Sequence, residues 1–169
     1  DGLAVPADGL LGAEGEGLRL ALAILDGGRI TVAAQACGIA GHALDVAVQY
    51  ARERTAFGGP IARFQGVQFP IADLAAKLDA ARLLTLHAAA LRDAGEPHGA
   101  AGAKAKLFAS AVAVEAADVA VQTLGGYGYS AEFPAERLYR DAKITELYEG
   151  TSQIQRLVIA RDLWGADAR

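Results

Sequence analysis

Residues 17–54 read GLRLALAILDGGRITVAAQACGIAGHALDVAVQYARER. The apolar residues Leu18, Leu22, Leu25, Ile30, Val32, Ile39, Ala43, Val46 and Tyr50 recur mostly at three- and four-residue steps, the period of an α-helix. A single helix over this span is about 55 Å long at 1.5 Å per residue. Gly27-Gly28 interrupts the pattern early, where a kink or a close backbone approach is expected. Phe57-Gly58-Gly59-Pro60 then breaks it firmly.

The rest of the chain continues in the same manner. A second helix is expected from Phe64 to Ala94, with Pro70 as a kink near its start and Gly95 as its C-terminal cap. A third, rich in Ala and Val, runs from Ala100 to Leu124 and ends in Gly125-Gly126. Tyr127 to Phe133 reads as a loop, and Pro134 starts a short helix. A last helix spans Thr151 to Trp164 and stops at Gly165. No segment shows strand alternation. The expectation is an all-α fold, an up-and-down four-helix bundle of long helices. Residues 1–16 read as an extended lead-in, with Val5-Pro6 disfavouring helix. Residues 17–169 form the bundle domain.

Composition narrows the function. The chain has 169 residues, 16 basic and 20 acidic, for a net charge of −4, with no basic face. Nucleic acid is therefore not an expected partner. The longest uncharged stretch, Ile30 to Leu44, is shorter than the roughly 20 residues that cross a bilayer, and no membrane span is expected. The lone Cys37 lies in an apolar helical run and reads as a small buried thiol. His42, His87 and His98 lack metal-ligand spacing, so no metal is expected. The chain starts at Asp1 and contains no Met, which reads as a piece of a longer protein. Its 53% apolar content suggests contact with other domains or subunits.

Several short stretches carry chemistry. In Tyr148-Glu149-Gly150-Thr151-Ser152-Gln153-Ile154-Gln155, a carboxylate precedes a Gly-Thr-Ser helix start. Thr151 and Ser152 can cap the first turn, and Glu149 at the helix mouth can act as a base. The bland alternative is a solvated Glu in a tight turn. Asp26-Gly27-Gly28-Arg29 sits inside the first helix, where each glycine costs about 1 kcal/mol relative to Ala. Either a ligand approaches closely there, or another helix packs beside an i,i+3 ion pair. Arg54 either complements the helix dipole or clamps a phosphate. Gln122-Thr123-Leu124-Gly125-Gly126 is either a plain helix cap or a surface passed closely by a cofactor.

These stretches, with Glu53-Arg54-x-x-Phe57-Gly58, Phe64-Gln65 and Tyr139-Arg140-Asp141-Ala142-Lys143-Ile144, resemble in order and spacing the C-terminal domain of the acyl-CoA dehydrogenase family. The resemblance runs from Leu11 to Leu163 and is nearest to short-chain and short-branched-chain members. It implies an FAD-dependent oxidoreductase of fatty acid metabolism, with a helical domain and a β domain preceding this bundle. Residues 1–16 would then be the lead-in from that middle β domain. Glu149 is implied as the base that removes the α-proton of an acyl-CoA thioester, while the β-hydrogen leaves as hydride to the flavin and a trans-2-enoyl-CoA forms. Desolvation by the bound acyl chain would strengthen that base. Hydrogen bonds to the thioester oxygen would stabilise the developing enolate.

The resemblance also assigns contacts. Arg54, Phe57 and Gln65, with Gln122, Thr123, Leu124, Gly125 and Gly126, would meet FAD across a subunit interface. Thr151, Ser152 and Gln153 would meet it within the subunit. Asp26, Gly27, Gly28, Arg29 and Gly150 would line the acyl-CoA site. Relatives that carry the catalytic Glu on the first helix have it where this chain has Gly28, which leaves Glu149 as the base. The implied assembly is a homotetramer, a dimer of dimers, reoxidised by an electron-transferring flavoprotein. A soluble cytoplasmic enzyme of bacterial type is implied, with a mitochondrial matrix homologue as the alternative. The bundle alone is not expected to be active. Oxygen-using acyl-CoA oxidase chemistry and a non-catalytic assembly bundle are the rival readings.

Overall fold

The computed structural model describes residues 2–165; Asp1 of the lead-in and residues 166–169 of the bundle domain lie outside the described residues. Helix α1 is Gly17–Glu53, α2 is Gln65–Asp93, α3 is Gly99–Leu124, α4 is Ala135–Ile144 and α5 is Ser152–Trp164. The direction of each follows from who meets whom. The start of α1 lies by the end of α2, since a Cβ on Gly27 would come within 3.1 Å of Arg92 Cζ. Lys77 early in α2 pairs with Glu115 late in α3 at 2.6 Å. Lys104 at the start of α3 faces Asp162 at the end of α5 at 3.6 Å. The chain therefore runs up, down, up and down through α1, α2, α3 and α5, with short α4 packed on α3.

Alanine builds the core. Ala33, Ala36, Ala40, Ala43 and Ala47 of α1 are fully buried, as are Ala105, Ala109, Ala113, Ala116 and Ala120 of α3. Small side chains at three- and four-residue steps let the helix backbones approach closely. Leu74 and Leu78 of α2 fill what remains. Stretches of α1 and α3 are long and apolar enough, by composition, to cross a membrane. Here their alanine faces are spent on each other.

The structure adds two features to the sequence reading. Leu18 and Leu22, apolar positions of the helical pattern, are 74% and 51% exposed. The reason is geometric: Asp26 already lies beside Gly99, so the first turns of α1 project past the α2–α3 connection. The break after α1 also contains a small hairpin, β1 (Thr55–Ala56) paired antiparallel with β2 (Gly59–Pro60). Its two turn residues, Phe57 and Gly58, have φ of 51° and 84°. Positive φ at both positions matches the twist of a two-residue hairpin, which is why strand pairing forms without alternation.

The helix ends follow their signals, whereas the stretch read as a loop from Tyr127 opens inside a 3-10 turn, Gly125–Tyr129. Neither Gly27-Gly28 nor Pro70 divides its helix, since α1 and α2 each run as one element. The α2 terminus closes with Gly95 at φ 72°, its N–H donating to Arg92 O and that of Glu96 to Leu91 O. This double bond pattern satisfies the last carbonyls of the helix. Thr151 caps α5, its hydroxyl accepting from the Ile154 N–H at 3.4 Å.

Candidate functional site

Glu149 occupies the turn between α4 and α5, at φ 54°. A left-handed conformation costs a non-glycine residue roughly 1–2 kcal/mol. Gly150 follows at φ 88°. Three bonds from buried side chains hold this turn. Gln155 Nε2 donates to Gly150 O at 2.7 Å and to Glu149 O at 3.1 Å. Lys106 Nζ donates to Gly150 O at 2.9 Å. A side chain on Gly150 would be strained at φ 88° and would bring a Cβ within 2.8 Å of the Gln155 amide nitrogen.

The Glu149 carboxylate reaches across to α1. A Cβ on Gly28 would strike its Oε2 and come within 3.0 Å of its Cδ. Oε2 is buried and has no hydrogen-bond partner among the described residues. The bland reading of Asp26 to Arg29 is also present: Arg29 Nη1 pairs with Asp26 at 2.5 Å, and Gly99 and Gly102 of α3 pack against Asp26. Helix packing explains Asp26, whereas Gly28 makes room for the carboxylate. Arg29 is 7% exposed and its Nε has no partner among the described residues. Tyr148 donates its hydroxyl to Gln35 of α1, which ties the turn to the same helix.

Burial pushes the Lys106 ammonium below its ordinary value. The Glu146 carboxylate opposes this, and Arg29 adds to it.

A second group forms around the end of α3. Arg54, Gln122, Thr123, Leu124, Gly125 and Gly126 line one cleft of about 610 Å³, with Tyr50 and Tyr127. Added Cβ atoms on Gly125 and Gly126 would meet open space, so the chain's own packing does not require glycine there. Gly125 instead takes φ 60° as the C-cap of α3. Phe57 and Gln65 do not line this cleft. Phe57 tops the hairpin, 90% exposed, and Gln65 is exposed at the start of α2. Gly66 and Val67 next to it share a smaller groove with Gln122 and Thr123. Ser152 and Gln153 line a different cleft of about 710 Å³, with Lys104, Lys143, Arg156 and Phe108. Residues assigned to one cofactor thus lie on two faces of the chain.

Sequence reasoning missed Lys106 and gave Gln155 no task. Lys106 carried a readable signal, since it falls in phase with Gly102, Ala109 and Ala113 on the buried stripe of α3. A charged residue on such a stripe is rare without a partner.

Comparison with known proteins gives one family. A profile described as "Acyl-CoA dehydrogenase, C-terminal domain" matches residues 15–164. The chain is 54% identical to acryloyl-CoA reductase (NADH) of Anaerotignum propionicum, over 94% of this chain and 40% of that protein. It is equally 54% identical to the mitochondrial short-chain specific acyl-CoA dehydrogenase of Mus musculus, over 94% and 39%. The structure superposes on butyryl-CoA dehydrogenase from Megasphaera elsdenii with a TM-score of 0.93 and 48% identity, covering 94% of this chain and 42% of that one. The chain spans about two fifths of the length of the curated relatives it matches.

Proposed function

This chain belongs to the acyl-CoA dehydrogenase family, as its C-terminal domain, and from that premise we propose that the protein carrying it is an FAD-dependent acyl-CoA dehydrogenase with Glu149 as base. The carrying observation is the Glu149 carboxylate, poised over side-chain-free Gly28 with its Oε2 buried and without a partner among the described residues. A carboxylate in that condition is ready to accept a proton from a group brought to it.

In this reading Glu149 takes the α-proton of the acyl thioester. Among the described residues no main-chain acceptor engages the Glu149 N–H, which leaves that donor for the thioester oxygen as enolate charge develops. Gly28 and Gly150 keep the approach open. Bound FAD supplies the acceptor for the β-hydride.

The donor set suits FAD. Arg54 forms no ion pair among the described residues, and a planar guanidinium matches a pyrophosphate. Gln122 and the bare main chain of Gly125 and Gly126 share its cleft. The separate location of Ser152 and Gln153 supports a flavin site completed between subunits, with Thr151 on the same helix start. Exposed Leu18, Leu22, Ile24, Leu83 and Leu86 supply apolar surface for a homotetramer and for preceding domains. Within that protein residues 1–16 are the lead-in from a β domain and 17–169 the bundle. An electron-transferring flavoprotein as oxidant, a short acyl chain and a soluble, cytoplasmic setting complete the reading.

The test is anaerobic titration of the full-length protein with a panel of acyl-CoA thioesters, following the visible flavin band. Bleaching by one chain-length class, abolished in Glu149→Gln while acyl-CoA still binds, is the expected outcome. Normal bleaching by Glu149→Gln removes Glu149 from the role of base.

A further inference from the structure

The turn that carries Glu149 is fixed from below by two side chains that reach no solvent. Lys106 and Gln155 are both fully buried. Each donates to Gly150 O, at 2.9 and 2.7 Å, so both lone pairs of that carbonyl are engaged. Gln155 also takes the preceding carbonyl, Glu149 O, at 3.1 Å. Two consecutive peptides are thereby pinned, at two successive residues with positive φ. Lys106 forms no ion pair among the described residues, so its buried charge is spent on a main-chain oxygen. An ammonium kept in the core for a carbonyl is costly as packing alone. Its effect falls on the peptide next to the reacting carboxylate.

We infer that Lys106 and Gln155 are positioning residues for Glu149, holding the Glu149–Gly150 peptides so that the carboxylate projects over Gly28. This rests on Glu149 being the base. Neither side chain need touch substrate; each acts through the backbone that aims the carboxylate. A displaced turn lets Glu149 swing from its line to the α-carbon, and a misplacement of about 1 Å can cost a hundredfold in rate.

The experiment uses full-length holoenzyme with Lys106→Met and Gln155→Met, which keep chain length and remove the donors. Both are expected to retain FAD and to bind acyl-CoA within about threefold of wild type, while flavin reduction at saturating substrate slows by about ten- to a hundredfold. A loss confined to the rate at saturation is not what a generally loosened fold produces. Glu149→Gln run in parallel separates the two levels. If it reduces flavin normally, the assignment of the base fails first. If it is inactive and both Met variants reduce at the wild-type rate, the positioning role is overturned. It is equally overturned if both variants lose FAD or helical structure, because the pair then holds the fold rather than the base. Should only Lys106→Met fail to fold, Gln155→Met decides alone.

Discussion

Gly28 of α1 lies directly against the carboxylate of Glu149, residues 121 positions apart in sequence (149 − 28) that meet with no room for a methyl group between them. Gly28→Ala is therefore a specific probe. Helix propensity favours Ala by about 1 kcal/mol at an interior position. The clash instead displaces Glu149. We expect a full-length Gly28→Ala enzyme with little change in melting temperature and flavin reduction slowed by about tenfold or more. Stopped-flow reduction and a thermal melt on the same preparation read both terms, and unchanged reduction would show that the carboxylate does not depend on this contact.

Gly150→Ala attacks the turn itself. It forces a side chain onto φ 88° and brings a Cβ within 2.8 Å of Gln155 Nε2 and 3.3 Å of Ile154 Cγ2. Strain of this kind costs about 1–3 kcal/mol. Urea unfolding should show that loss together with impaired flavin reduction. Full stability would mean that the turn relaxes freely.

Phe57 offers the opposite trade. Its ring is 90% exposed and its φ of 51° is unfavourable for any residue with a Cβ. Phe57→Gly should change stability by no more than about 1 kcal/mol, since relief of the positive-φ strain offsets the lost edge-to-face contact with Phe64 and the added unfolded-state entropy. If the ring is kept for the cofactor, FAD dissociates more readily from the full-length variant. Retention of FAD at the wild-type level would remove Phe57 from the cofactor-contacting set.

Lys106 gives stability a pH dependence whose sign is fixed. Burial lowers its folded-state value below the ordinary lysine value of 10.5. The folded state therefore disfavours the charged form, and the cost is present in full below the lowered value. As pH rises from there toward 10.5 the unfolded chain holds more protons on this group, so stability due to Lys106 increases. Unfolding of wild type and Lys106→Met across the alkaline range should show wild type gaining relative to the variant. A constant difference would mean that the buried ammonium stays as easily charged as in the unfolded chain.

What the sequence by itself determined was local. Helix periodicity, the breaks at Phe57-Gly58-Gly59-Pro60 and Gly125-Gly126, and the caps at Gly95, Thr151 and Gly165 depend on neighbours a few residues away, and a linear reading reaches them. The short ordered motifs were legible for the same reason. Only the tertiary structure decided which side of α1 is buried, because that depends on where α2 and α3 end: Leu18 and Leu22 look like core and overhang it, whereas the alanines form the contact. It likewise decided why Gly28 is a glycine, since the cause is a carboxylate on a distant turn. Lys106 and Gln155 meet on the Gly150 carbonyl from two helices, and no spacing in the chain records a hydrogen bond between a side chain of one segment and the backbone of another.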